Sequence, residues 1–269
     1  MYVTVMKDIL EAVAAGELSP EAAEARLRGY ATTGAGRFDA ARERRRGVPE
    51  AVLGEGKTPE EVADLVTTAV ATTGRALATR LEDTQVAAVR DRLDGDHPAV
   101  SVQVHDRARV LVARGPDYDP PDLDASVAVV TAGTSDAVPA GEAAAVARAM
   151  GADVARLDDV GVAALTRLTD RLTDLRAHDV LVVAAGREGA LPTVTAGLVD
   201  VPVIGLPVST GYGYGGDGEA ALLGMLQSCT ALSVVNVDAG FTAGAQAGLV
   251  ARGLDTARGG NADRPRRDG

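Results

Sequence analysis

Aromatic residues, cysteine and lysine are all scarce in this chain, and each shortage excludes something. Aromatics make up 3% of the 269 residues. A core must therefore be built from Ala, Val and Leu, and an apolar content of 46% supplies enough of them. The single cysteine, Cys229, rules out an internal disulfide and suits a reducing cytoplasm. No run of about twenty apolar residues occurs, so no membrane-spanning helix is expected. Met1-Tyr-Val-Thr-Val-Met-Lys-Asp8 has no long apolar stretch after a basic start, so no secretory leader is expected and the location is read as cytoplasmic. Of 27 basic residues only Lys7 and Lys57 are lysines, an arginine bias in which a single arginine says little about function. The net charge of −11 argues against a nucleic-acid partner.

What is present changes character along the chain. Residues 4–28 carry apolar positions in helical period, with Ser19-Pro20-Glu21 as a cap followed by proline in the first turn, and predict a helical hairpin. Residues 31–38 read as a glycine-rich loop. Phe38 to Glu50 is dense in arginine; such a run is either a solvated face or an arm that offers guanidinium groups to phosphates or carboxylates. Gly54-Glu-Gly-Lys-Thr58 is not a P-loop, because the first glycine of that pattern would fall on Ala51. Thr58-Pro-Glu-Glu61 is a capping box opening a helix to about residue 73. A strand over 76–79, a helix over 82–93 and a hairpin of 100–104 with 109–112 complete a small α+β unit over 1–114. The proline-rich stretch 115–122 reads as a linker.

From 123 to 255 apolar strands alternate with helices. Strands are predicted at 126–131, 153–157, 180–185, 201–206 and 232–237. Helices are predicted at 139–150, 160–176, 190–199, 218–229 and 241–252. This pattern implies an α/β fold, a parallel sheet covered on both faces. Ligands bind such sheets at the carboxyl ends of the strands. The loops 132–138, 186–190, 207–217 and 238–241 are accordingly the places to find a site. The tail, 256–269, is polar and expected to be disordered.

Those loops hold the candidate chemistry. In Thr131-Ala-Gly-Thr-Ser-Asp136, Gly133 permits a tight turn, Thr134 and Ser135 can donate to a phosphate, and Asp136 can hold a ribose hydroxyl or cap the next helix. In Gly186-Arg-Glu-Gly-Ala190, Glu188 stands between glycines at a strand end. It is either a general base or a solvated loop carboxylate. The glycine-dense loop 211–218 before a helix is either a nucleotide cradle or a tight connection. Cys229 closes that helix. A lone cysteine is more often a small buried hydrophobe than a nucleophile, but an ionised thiol here could attack a pyridinium or a carbonyl.

Taken together, Ala132-Gly-Thr-Ser-Asp136, Gly186-Arg-Glu-Gly-Ala-Leu-Pro192, Gly211-Tyr-Gly213, Ala221-Leu-Leu-Gly-Met-Leu-Gln-Ser-Cys229 and Val234-Val-Asn-Val-Asp238 closely resemble the LarB family. Asp39, Arg42, Gly47, Pro49-Glu50 and Gly54-Glu-Gly-Lys-Thr-Pro59 resemble its N-terminal signature. The C-terminal part is similar to phosphoribosylaminoimidazole carboxylase. The resemblance implies a flavodoxin-like three-layer domain and a homo-octamer. It implies carboxylation of nicotinic acid adenine dinucleotide by CO2 or bicarbonate, and hydrolysis of the phosphoanhydride with Mg2+. The product would be the mononucleotide used for the nickel-pincer cofactor of lactate racemase. It makes Cys229 the thiolate that adds to the ring and Glu188 the base. Gly133, Thr134, Ser135, Asp136, Gly189, Ala190, Gly211, Tyr212, Gly213, Asn236, Asp238, Lys57 and Arg42 become substrate contacts; no metal ligands are marked. The alternatives are a divergent nucleotide-binding module and an aminoimidazole ribonucleotide carboxylase. Thr166 stands where the family usually has histidine, Ala239 where it has asparagine, Ala40 and Ala41 where histidines are frequent, and Arg187 where methionine is common. Thr166 and Ala239 are expected to flank the ligand pocket.

Overall fold

The computed structural model describes residues 2–259. The chain forms two compact units, Met1–Asp119 and Pro120–Gly269.

The first unit runs α1 (Tyr2–Ala14), α2 (Pro20–Arg28), β1 (Ala31–Thr33), β2 (Gly36–Phe38), α3 (Arg42–Arg46), β3 (Val52–Leu53), α4 (Pro59–Thr73), β4 (Arg75–Thr79), α5 (Asp83–Asp96), β5 (Ser101–His105) and β6 (Val110–Arg114). Its sheet has the order β3-β4-β6-β5, with β3 parallel to β4 and the other pairs antiparallel. α4 starts as its sequence dictates: Thr58 Oγ1 accepts the Glu61 N–H and the Glu61 carboxylate accepts the Thr58 N–H. Its buried face, Val62, Val66 and Ala69, packs with Val89 and Leu93 of α5 onto Ala76, Ala78, Leu111 and Ala113 of the sheet. The expected loop over 31–38 is instead the hairpin β1–β2. Its strands of three residues are too short to show an alternation, and its turn is held by the Thr33 hydroxyl, which accepts the Ala35 N–H at 3.1 Å.

The second unit runs β7 (Ser126–Thr131), α6 (Ala137–Ala149), β8 (Asp153–Leu157), α7 (Leu165–Thr169), α8 (Leu172–Arg176), β9 (Val180–Ala185), α9 (Ala190–Ala196), β10 (Val203–Pro207), α10 (Glu219–Leu226), β11 (Leu232–Val234) and α11 (Gly240–Ala257). The five strands form a wholly parallel sheet in the order β11-β10-β9-β7-β8, and this is the expected α/β architecture. Alternate strand residues face opposite layers. Val127 and Val129 pack with Ala140, Ala143, Ala243 and Ala247 of α6 and α11. Ala128 and Val130 pack with Leu191 of α9 and Met225 of α10. Small side chains let the layers approach closely: a Cβ on Gly244 would lie 2.3 Å from the Ala143 carbonyl oxygen.

Three boundaries differ from expectation for local reasons. The helix expected over 160–176 is broken, because Arg171 (φ −104°, ψ 5°) leaves the helical well between α7 and α8. β10 begins at Val203, since Pro202 has no N–H for the ladder, although its carbonyl accepts the Leu181 N–H at 2.9 Å. α10 stops at Leu226 rather than near Cys229. Beyond it the Ser228 hydroxyl accepts the Thr230 N–H and bonds the Thr230 hydroxyl, a side-chain turn that competes with helix. α11 continues to Ala257, so the start of the supposed tail is helical; residues 260–269 lie outside the described residues.

Candidate active site

β7 sits between β8 and β9, and the chain steps from β7 to one side and then to the other. That reversal opens a crevice at the carboxyl ends of β7 and β9. A cavity of about 280 Å³ occupies it, walled by the segments 132–136, 161–163, 185–191 and 210–212. Its walls meet backbone to backbone. A Cβ on Gly211 would lie 1.9 Å from the Gly186 carbonyl oxygen, and one on Gly161 would lie 2.7 Å from that of Ala132. Glycine is required at both positions because nothing larger fits between the loops.

In the first wall, Asp136 is buried and lines the cavity. Its carboxylate accepts the Gly133 N–H at 2.9 Å and the Ser135 hydroxyl at 3.4 Å. Burial pushes its pKa above 3.8, against the pull of those hydrogen bonds. The side chain thus closes its own turn. Gly133 and Ser135 line the cavity and Thr134 does not. Gly133, read as the residue for a tight turn, is extended at φ −157°, which any residue adopts.

The second wall is the β9–α9 turn. Glu188 is exposed, lines the cavity and takes part in no ion pair among the described residues. Gly189 holds φ 70° beside the α10 backbone, and Ala190 opens α9 just outside the lining. Arg187 also lines the cavity, and its guanidinium carbon lies 3.9 Å from the centre of the Tyr212 ring on the third wall. Gly211 and Tyr212 line the cavity, while Gly213, at φ 101°, turns the chain away from it.

The other expected contacts are elsewhere. Asn236 accepts the Val237 N–H on its side-chain oxygen, and Asp238 accepts the Ser209 N–H at 3.0 Å, tying two loops together. Lys57 donates to the Leu53 carbonyl at 2.8 Å, and Arg42 pairs with Glu50 at 2.8 Å, both inside the first unit. Thr166 and Ala239 do not line the cavity, against expectation: Thr166 is exposed on α7, and Ala239 packs against the hydrophobic core. Cys229 is exposed and does not line it either. α10 carries the chain about 12 Å back along the sheet. The strand that follows Cys229 starts with Leu232 opposite Val203, the first residue of β10. Within one chain the thiol therefore lies outside the cavity wall, five residues after Gly224, where an added Cβ would meet the Glu188 carbonyl oxygen at 2.3 Å.

Two lining features escaped the sequence reading. The loop after β8, with Gly161, Val162 and Ala163, was not among the loops to inspect, although it too follows a strand's carboxyl end. Arg187 stood out only as a departure from a family pattern.

Among the described residues no three of His, Cys, Asp and Glu cluster as a metal cage, and no helix is long and apolar enough to cross a membrane. Residues 30–115 match a family model described as the LarB/PurE-like N-terminal domain, and residues 126–258 match one described as AIR carboxylase. An uncharacterized protein of Methanocaldococcus jannaschii, MJ0165, is 38% identical over 219 residues, covering 80% of this chain and 84% of that one. With both domains matched in this order over a parallel sheet of PurE-like form, the chain belongs to the LarB family, whose C-terminal part is of the AIR carboxylase type.

Proposed function

We propose that the protein carboxylates the pyridinium ring of nicotinic acid adenine dinucleotide and hydrolyses its phosphoanhydride, leaving pyridinium-3,5-biscarboxylic acid mononucleotide and AMP. The observation that carries this reading is Glu188. It is a carboxylate without an ion pair among the described residues, in the wall of a cleft at the carboxyl edge of the sheet, in a chain of a carboxylase family. The pyridinium ring is electron-poor and cannot attack CO2. A thiolate that adds to a ring carbon gives its electron pair to the ring and makes a neutral, electron-rich dihydropyridine. A ring carbon then bonds to CO2. Glu188 removes the proton from that carbon and passes it to water. The thiolate leaves with its electron pair and the ring is aromatic again. In the second reaction water attacks phosphorus and AMP departs.

The thiol in this reading is Cys229. Because it lies outside the cleft of its own chain, it has to arrive from a neighbouring copy or by a shift of segment 227–231. A homo-octamer, as the resemblance implies, would supply the neighbour. Mixing Glu188→Gln with Cys229→Ala chains distinguishes these routes, since product formation by the mixture requires the thiol and the base to come from different copies. Mg2+ would travel on the substrate phosphates, where an all-protein cage is not needed; no step above depends on it.

The test is mass spectrometry after incubation with nicotinic acid adenine dinucleotide, bicarbonate and Mg2+. A mononucleotide with one added carboxylate, formed by the parent and absent with Cys229→Ala, is the expected result. No product from the parent would overturn the reading. The position of Cys229 favours a second one, an aminoimidazole ribonucleotide carboxylase, which needs no thiol. It predicts turnover of that substrate with Cys229→Ala undiminished.

A further inference from the structure

We infer that Arg187, set over the Tyr212 ring, is an oxyanion clamp at the cleft, built to take a phosphate or carboxylate group of the ligand. The inference rests on the nucleotide reading above only for the identity of that ligand.

Four observations converge on it. Arg187 is the one basic residue in the lining of the cleft, where the other charged residues are Asp136 and Glu188. Its guanidinium carbon is 3.9 Å from the Tyr212 ring centre, a short cation–π contact between two exposed residues of different loops. Its N–H groups have no hydrogen-bond or ion-pair partner among the described residues, although Glu188 is its chain neighbour. And its turn is anchored, because Gly186 is wedged against Gly211, Val208 and Thr210.

The geometry divides the guanidinium's work. A guanidinium that stacks on a ring uses its flat face and keeps its edge, with parallel N–H donors, for a two-point grip on an oxyanion. The ring also confines a long side chain before anything binds, which lowers the entropy lost on binding. The two acids do not compete well for it. The Asp136 carboxylate is engaged by Gly133 and Ser135, and Glu188 makes no ion pair with Arg187 or with any other described residue. An arginine held this way, in the wall of a cavity without another cation in its lining, is placed to bind rather than to brace.

Calorimetry on the full chain tests it with two probes: nicotinamide mononucleotide, which has a phosphate and no carboxylate, and nicotinate, which has the reverse. Arg187→Met should weaken binding of at least one probe tenfold or more and reduce its salt dependence; the arm that changes names the group that is held. Arg187→Lys should restore only part of the affinity, since a lysine cannot make the two-point grip. Tyr212→Ala should cost severalfold while Tyr212→Phe costs little, because the ring face, not the hydroxyl, makes the contact. Equal affinities for both probes in parent and Arg187→Met would overturn the clamp, as would a parent that binds neither. A parent that holds a probe through Arg187 yet forms no carboxylated product would sink the proposed reaction and leave the clamp standing.

Discussion

Between Asp39 and Glu50 every carboxylate is held by an arginine: Asp39 by Arg45, Glu43 by Arg75 and Glu50 by Arg42. Between Gly186 and Gly189 an arginine and a glutamate are adjacent and neither makes an ion pair with the other or with any described residue. The dense run looks the more functional of the two in sequence, yet all three of its carboxylates are consumed by arginines, and among the described residues only its Arg44 and Arg46 are left without an ion pair. The sparse pair keeps its charge for something that is not part of the chain. Density of charge marks where a fold can brace itself, and an unspent charge in a cavity wall marks where it can act.

The sharpest way to break this contrast is to remove charge from each side and ask what fails. Glu188→Gln keeps shape and removes the base. Turnover of the dinucleotide should fall about 10²- to 10⁴-fold, while the melting temperature stays within a degree or two of the parent, because an exposed, unpaired side chain contributes little to stability. A comparable loss of stability would mean that Glu188 braces the loop and would erase the contrast.

Arg75→Ala should do the reverse. The side chain is 7% exposed, reaches Glu43 at 2.7 Å and stacks on Tyr118 with 5.4 Å to the ring centre. Breaking a fully buried pair costs about 3–5 kcal/mol. Glu43 is 37% exposed and regains water, so about 2–3 kcal/mol is expected from denaturant unfolding of the first unit. Probe binding at the Arg187 cleft should be unchanged. A loss of that binding would show that Arg75 serves the cleft as well.

How much of this was legible in sequence follows the same division. The strands of the second unit are apolar runs fixed by burial on both faces, and β7, β8 and β9 occupy the residues that pattern predicted. The capping box at Thr58 was legible because its partners are three residues apart. The hairpin β1–β2 and the two-residue β3 were not, since elements that short carry no period and depend on partners far along the chain. Glu188 was readable from its place between glycines after a strand. The position of Cys229 was not, because it depends on where α10 ends, and that is decided by the hydroxyls of Ser228 and Thr230 rather than by apolar spacing. Arg187 was hidden by composition: where nearly every cation is arginine, one more gives no signal until its lack of partners is seen.

The smallest effect separates the two regions by sign. Asp39 is held below 3.8, first by its hydrogen bonds from Arg45, so the unfolded chain takes up protons before the folded one does as pH falls. Its contribution is present above the unfolded value of 3.8 and is lost as pH drops through its folded pKa; the pair is exposed, so the effect is small. Asp136 is shifted the other way by burial, so the folded chain keeps its proton after the unfolded one has lost it. Its stability contribution is largest in acid and declines as pH rises from 3.8 through the raised value. Carboxyl-carbon NMR titration of the full chain should place Asp39 below 3.8 and Asp136 above it. Asp39→Asn should flatten the acid limb of the first unit's stability, and Asp136→Asn the opposite slope in the second. Two midpoints on the same side of 3.8 would mean that the cleft carboxylate is as well satisfied as the paired one, and that its wall is closed by bracing after all.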